Sequence, residues 1–155
     1  CLGFENLPPL LLPIAADEAA HDVFIHPGSG GATKHWPVAR FAEVASALRE
    51  RGRCIEWIRG PAEERLTFPQ RSEVVEFPGL VTLARHLSGT TLYIGNDSGI
   101  THLAAACGCR TVAIFGPTDA GVWAPRSGHV AVVAREGWPG IDDVLMCIAR
   151  LEAAD

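Results

Sequence analysis

Leu92-Tyr-Ile-Gly-Asn-Asp-Ser-Gly-Ile-Thr-His-Leu-Ala-Ala-Ala-Cys107 is the stretch on which the fold turns. Its first four residues are a short apolar run of strand type, Asn96-Asp-Ser-Gly99 is a turn, and Ile100, Leu103, Ala104 and Cys107 recur at helical spacing. A strand that passes through a polar turn straight into a helix is half of a βαβ unit, and the same rhythm runs outward in both directions. Upstream, residues 23–26 read as a strand and residues 27–33 as a Gly/Ser loop. Val38, Phe41, Val44, Ala45 and Leu48 then form one face of a helix opened by Pro37 and closed by Arg51-Gly52. Residues 54–58 are a second strand leading into Arg59-Gly-Pro-Ala-Glu63 and a short helix. Residues 74–77 are a third, and Leu80, Leu83, Ala84 and Leu87 lie on the helix after Pro78-Gly79. Downstream come a strand at 111–115, the turn Gly116-Pro-Thr-Asp119, a final strand at 130–133 and a helix over 142–153.

Strands alternating with helices mean a parallel sheet covered on both faces, so the pattern predicts one α/β domain of Rossmann-like build over residues 22–155. Residues 1–21, rich in Pro and Leu, read as a linker or lead-in with a short helix around residues 15–20. A chain of 155 residues that is 48 % hydrophobic and 20 % charged is composed like one globular domain and unlike a disordered tail. With 13 basic against 18 acidic residues the net charge is −5, which argues against a general nucleic-acid or membrane-surface binder. The longest apolar run, residues 10–16, holds Pro13 and falls far short of the roughly 20 residues of a membrane span; no basic region precedes it as in a signal peptide. Five cysteines without a CxxC pair fit free thiols in a reducing, cytoplasmic setting, with Cys107 and Cys109 as small core residues. A chain that opens on Cys1 is expected to be part of a longer product.

In open α/β sheets ligands bind beyond the carboxyl ends of the strands, which here points to five loops. The first, His26-Pro-Gly-Ser-Gly-Gly-Ala-Thr-Lys34, is neither a Walker A loop nor GxGxxG, because Thr33 stands where a glycine belongs. It does carry Lys34, the sole lysine among 13 basic residues, where a compact ammonium suits a phosphate. A solvated lysine in an ordinary turn is the alternative. In the second loop, capping by Ser98 or Asp97 would leave the N–H groups of Gly99, Ile100 and Thr101 facing an anion, with His102 one turn from Ser98. A well-capped helix with a satisfied histidine reads equally well. Asp97 beside a diphosphate would repel it, so its expected work is capping N–H groups or accepting from sugar hydroxyls. In the third loop Thr118 offers a hydroxyl, or the segment is a plain turn through Pro117. Glu63 and Glu64 sit where a carboxylate takes a ribose diol or, more commonly, starts a solvated helix. His21, His86 and His129 read as surface or helix decoration, and Trp36 and Trp123 as packing. No cluster has zinc spacing, and no GxSxG elbow is present.

The strings His26-Pro-Gly-Ser, Lys34-His-Trp-Pro37, Asn96-Asp-Ser-Gly-Ile-Thr-His-Leu-Ala104 and Ile114-Phe-Gly-Pro-Thr118 resemble the carboxyl-terminal half of glycosyltransferase family 9, the ADP-heptose:lipopolysaccharide heptosyltransferases and their relatives. The resemblance covers about residues 22–125. It implies a GT-B architecture, two Rossmann-like domains facing a cleft, of which this chain corresponds to the second, nucleotide-sugar (donor) binding domain; the amino-terminal acceptor domain is absent. By position it puts Ser29 and Lys34 on the donor phosphates, with Gly30 in the same loop, and Glu63 (or Glu64) near the ribose. The 78–80 segment, with Leu80, falls beside the base, and Asp97, Ser98, Gly99 and His102 surround the diphosphate and sugar. Two departures leave the sugar open: a longer glycine loop without paired threonines, and a short region after Ala134.

The resemblance further implies an inverting transfer of a heptose or related sugar from an ADP-sugar to a lipopolysaccharide core or other glycan. The general base lies in the other domain, and Lys34 and His102 stabilise the leaving diphosphate. No metal or cofactor is required, the ADP-sugar being a substrate; no nucleic acid is a partner. The whole protein is expected in the cytoplasm or peripheral at the inner membrane, and this chain alone is expected to be inactive. The competing readings are a non-catalytic nucleotide-binding module and a nucleotide-sugar epimerase of similar fold.

Overall fold

The computed structural model describes residues 10–16, 21–60, 63–64, 66–70 and 72–154. Six strands form one wholly parallel sheet: β1 (His21–His26), β2 (Ile55–Arg59), β3 (Glu73–Glu76), β4 (Thr90–Asn96), β5 (Arg110–Phe115) and β6 (Val130–Ala134). Their order across the sheet is β3-β2-β1-β4-β5-β6. The connecting helices are α1 (Val38–Glu50), α2 (Leu80–Ser88), α3 (Gly99–Ala106), the short α4 (Ala120–Trp123) and α5 (Ile141–Glu152), with a single 3-10 turn at Ala32–Lys34. The chain starts in the middle of the sheet, builds outward to β3, then returns to β4 on the other side of β1. That reversal leaves a crevice between the carboxyl ends of β1 and β4, the place where open α/β sheets bind ligands.

The alternation of side chains along each strand divides the core into two layers. Val23, Ile25, Ile55, Trp57, Leu92, Ile94, Val112 and Ile114 point to one face and pack with Phe41, Val44 and Leu48 of α1 and Val144, Ile148 and Leu151 of α5. Phe24, Ile58 and Tyr93 point to the other and meet Leu83 and Leu87 of α2 and Ala104 of α3. Both faces being covered, the central strands read as nearly continuous apolar runs, as parallel sheets require. Trp36 is fully buried against Phe41, its ring edge-on, and donates its indole N–H to the Pro139 carbonyl at 3.0 Å.

The predicted strands and the four long helices stand within a residue or two of their expected places. The turn at 116–119 runs on into α4, which the pattern did not foretell. Lys34 closes the 3-10 turn rather than following an open loop, its N–H bonded to the Gly31 carbonyl at 2.9 Å. Of the short helix expected at 15–20, Ala15 and Ala16 are not helical and the rest lies outside the described residues. Of the one expected after β2, Glu63 is in 3-10 conformation, its N–H meeting the Gly60 carbonyl at 3.0 Å, and residues 61, 62 and 65 lie outside the described residues. Leu12 instead docks the lead-in on the end of α3, its N–H bonded to the Ala106 carbonyl at 2.7 Å. Cys54, Cys107, Cys109 and Cys147 are free thiols, and burial pushes Cys109 up to about 12; Cys1 lies outside the described residues. Truncating Trp36 to Ala removes a fully buried indole and leaves the Pro139 carbonyl to Arg40 alone, so it should cost about 3–5 kcal/mol, chiefly for the cavity. Urea unfolding followed by circular dichroism checks this; a midpoint unchanged from wild type would show that Trp36 is not a core residue.

Candidate functional site

A cavity of about 500 Å³ opens at the carboxyl ends of four neighbouring strands. His26, Ser29 and Gly30 reach it from the end of β1, Ile58 to Gly60 and Glu63 from β2, Phe77 to Leu80 from β3 and Ser98 to Ile100 from β4, with Leu83 of α2 behind. Its size suits a nucleotide-sized ligand. One wall is apolar (Ile58, Phe77, Leu80, Leu83, Ile100) and the other polar (His26, Ser29, Glu63, Ser98).

The polar wall is held by a network rooted at the end of β4. Buried Asn96 accepts the Trp36 N–H at 3.1 Å and donates to the Pro27 carbonyl at 2.7 Å, so the glycine loop is tied to β4 at its start and its finish. Ser29 Oγ donates to the Asp97 carbonyl at 2.6 Å, and the His35 ring lies 3.1 Å from the Ser29 backbone. Ser98 caps α3, its Oγ accepting the Thr101 N–H at 3.3 Å. The expectation of three free N–H groups is therefore corrected to two: the cap occupies Thr101, and Gly99 and Ile100 remain at the positive end of the helix.

Asp97 does not cap the helix, contrary to one reading of the sequence. Its carboxylate, nearly buried, accepts from the Lys34 ammonium at 2.8 Å and from the Thr118 hydroxyl at 2.9 Å on the same oxygen. A buried charge needs such compensation. The lone lysine, its side chain 36 % exposed, is thus paired rather than free, and the third loop meets Asp97 through Thr118, outside the cavity lining. Two donors remain on the Lys34 ammonium for a further acceptor.

Glu63 departs most from its common fate. It is 2 % exposed; Oε2 accepts the Gly60 N–H at 2.7 Å and Oε1 lies 3.3 Å from His26 Nε2. Burial alone would push this carboxyl up, but the His26 hydrogen bond and charge and the Gly60 amide override it and hold Glu63 below its ordinary value near 4.5. Glu64 lines a smaller neighbouring cavity with Arg59 and Glu76.

Of the expected site residues, Ser29, Gly30, Glu63, Leu80, Ser98 and Gly99 line the cavity, and Lys34 and Asp97 flank it as a pair. His102 is exposed on α3 and does not line it. Trp123 is exposed on α4 rather than packed. His21 and His86 are not decoration: His21 Nδ1 is 2.6 Å from Glu56 and its Nε2 is 2.7 Å from His86 Nδ1, while His129 Nε2 lies 2.8 Å from the Ala105 carbonyl. His26 and Phe77, which open two of the expected loops without a role of their own in the sequence reading, line the cavity as well. Among the described residues no group of three or more His, Cys, Asp or Glu could hold a metal ion, and no helix is long and apolar enough to cross a membrane.

An open parallel sheet with a cavity at its switch point, a glycine loop and a capped helix start defines a ligand-binding α/β domain of the nucleotide-binding type. The chain belongs to glycosyltransferase family 9 (heptosyltransferase), whose model it matches over residues 13–149. It is 35 % identical over 109 residues to lipopolysaccharide heptosyltransferase 1 of Pseudomonas aeruginosa, covering 66 % of this chain and 30 % of the relative. To the Escherichia coli K12 protein of the same name it is 30 % identical over 118 residues, covering 72 % and 37 %. Among solved structures, E. coli heptosyltransferase WaaC with ADP superposes at a TM-score of 0.73 with 25 % identity, covering 91 % of this chain and 46 % of that one. A family 9 transferase from Veillonella parvula superposes at 0.75 with 21 % identity, covering 87 % and 46 %. The chain spans about a third of the length of these curated relatives and just under half of these solved structures.

The depressed Glu63 value has a consequence for stability. Above the ordinary carboxylate range both folded and unfolded states are ionised and the stabilisation is complete. As pH falls below about 4.5 the unfolded state takes up the proton first, and the contribution is lost down through the lower folded value. Glu63→Gln should therefore flatten the acid limb of a stability-against-pH profile measured by urea unfolding between pH 3 and 7. A limb as steep as that of wild type would mean other carboxylates set it.

Proposed function

We propose that this chain is the donor-binding half of an inverting glycosyltransferase, which passes a heptose or related sugar from an ADP-sugar to a lipopolysaccharide-type acceptor. The observation that carries the reading is the cavity at the ends of β1 to β4, flanked by Lys34 and the α3 start, in a chain of this family.

On this reading the adenine lies against the apolar wall with the 78–80 segment, and the ribose meets Glu63. The diphosphate takes the Ser29 hydroxyl in place of the Asp97 carbonyl, the backbone at Gly30, and the N–H groups of Gly99 and Ile100. Lys34 bridges Asp97 and the phosphate oxygens, so that the carboxylate holds the ammonium in place instead of repelling the ligand. Asp97 stays within reach of the sugar hydroxyls. When an acceptor hydroxyl displaces the nucleoside diphosphate, negative charge builds on the departing oxygens. Lys34 and the helix start meet that charge with donors already oriented, the type of effect that most lowers such barriers, and His102, exposed on α3, adds a further donor from outside the cavity lining. The base that deprotonates the acceptor belongs to the amino-terminal half of the two-domain architecture. The reaction needs no cofactor, because these donors supply the leaving-group stabilisation. A glycolipid acceptor would bring the whole protein, from the cytoplasm, to the inner membrane as a peripheral enzyme.

Calorimetric titration of the chain with ADP, UDP and GDP tests the donor assignment, and a product assay with ADP-heptose on the whole gene product tests the transfer. ADP should bind most tightly; no ADP binding, or preference for another nucleotide, would sink the reading. Lys34→Ala should weaken ADP by about 1.5–3 kcal/mol, the scale of a charge-assisted hydrogen bond, and AMP by less. Equal losses for adenosine and ADP would place Lys34 in the fold and not on the phosphates.

A further inference from the structure

His26 ends β1 opposite Gly95 of β4, at the switch point of the sheet, and is 3 % exposed. Its Nδ1 is buried with no hydrogen-bond partner among the described residues, while its Nε2 lies 3.3 Å from Glu63 Oε1. Burying an imidazole with one nitrogen unpaired costs stability, and an apolar side chain would avoid that cost. The ring does have one use in this position: Nε2 is the nitrogen with an acceptor, so the ring proton that bonds is directed at the carboxylate.

Two glycines complete the arrangement. A Cβ on Gly28 would stand 1.6 Å from Glu63 Oε1, so the carboxylate fills the space that any other residue there would occupy. A Cβ on Gly60 would come to 3.0 Å from Oε2, and the Gly60 N–H donates to that same oxygen. Each carboxylate oxygen is thereby held by one protein donor, from β1 on one side and from the loop after β2 on the other. A carboxylate accepts about four hydrogen bonds, so with His26, the Gly60 N–H and its own backbone N–H as donors it keeps acceptor capacity on a residue that lines the cavity.

We infer that His26 is a positioning residue of the donor site: it orients the Glu63 carboxylate, across the gap left by Gly28, as the acceptor for a vicinal diol, and so makes the site select ribonucleotides over deoxyribonucleotides. The inference rests on the donor-site reading above and extends it to a residue that touches Glu63 and acts through it. A site whose buried acceptors expect two hydroxyls discriminates against a ligand lacking one, since an oriented acceptor is then left unpaired.

The test is calorimetric titration of the 155-residue chain with ADP, 2′-deoxy-ADP and inorganic diphosphate. Wild type should prefer ADP over 2′-deoxy-ADP by about 10- to 100-fold, the range of a hydrogen bond to a charged group. His26→Leu should reduce that preference about fivefold or more and leave diphosphate affinity within about twofold, as expected for loss of one donor to Glu63. It should add nothing in a Glu63→Gln background, the mark of action through Glu63. His26→Gln, which keeps a donor near the Nε2 position, should restore most of the preference, and Gly28→Ala should abolish it. A preference intact in His26→Leu, or equal losses for all three ligands, overturns the inference. Failure of wild type to bind ADP overturns the donor-site reading beneath it, a distinct outcome. Should His26→Leu not fold, nitrogen-15 spectra of the wild-type His26 ring decide. An Nε2–H tautomer that shifts in Glu63→Gln supports the assignment, and an Nδ1–H tautomer or an unmoved spectrum overturns it.

Discussion

Asn96 is the tie on which the site depends. A parallel sheet leaves its strand ends free to diverge, and the loop after β1 has no ladder of its own. By accepting from Trp36 and donating to Pro27, one fully buried amide fixes both ends of that loop against β4. The geometry that follows is inherited from this anchor: Ser29 reaches the Asp97 carbonyl, Lys34 reaches its carboxylate, and Gly28 comes close enough to Glu63 that no side chain fits between them. A buried polar network of this kind specifies one arrangement because each partner lost leaves an unsatisfied group in the interior.

The electrostatics are built on the same anchor. Two carboxylates, Asp97 and Glu63, stand beside a site read as one for an anion, and each is already engaged by local protein partners. Lys34 and Thr118 serve the first; His26 and the Gly60 amide serve the second. The negative charge of the side chains is thus spent on holding donors in place. The positive end of α3 stays available because Ser98, an uncharged cap, takes the Thr101 N–H and leaves Gly99 and Ile100. Had Asp97 been the cap, its charge would have sat on the helix start and opposed a phosphate there.

The sheet, its helices and the loops at its carboxyl edge were legible because they are written in local periodicity: largely apolar runs of four or five residues, then helical spacing, with glycines and prolines between. The site was legible as loops and only partly as side chains. Glu63 reads like the start of a solvated helix because its neighbours are polar; its burial is decided by Gly28 and His26, more than thirty residues away in sequence. The Lys34–Asp97 pair likewise joins two strand ends through the β1–β4 crossover, and nothing in either segment announces the other. His26 looked like the polar end of a strand, and its bond to Glu63 exists only once β2 lies beside β1. His102 was drawn toward the cavity by its spacing from Ser98, yet it stands exposed on α3 outside the cavity lining, since a four-residue step fixes a face but not which way that face looks.

The two walls of the cavity divide recognition between them. Ile58, Phe77, Leu80, Leu83 and Ile100 present a surface whose side chains neither donate nor accept, and such a wall distinguishes ligands mainly by size and shape. A methylene more or less in a pocket of that kind changes binding by about 10- to 200-fold, whereas a polar site built for particular hydroxyls discriminates far more sharply. Under the donor-site reading, the base therefore contributes buried apolar area and the ribose and diphosphate supply most of the selectivity. That assigns the greater specificity to the groups held by Asn96, Asp97 and Glu63, the part of the site where the fold has already met the cost of burying polar atoms.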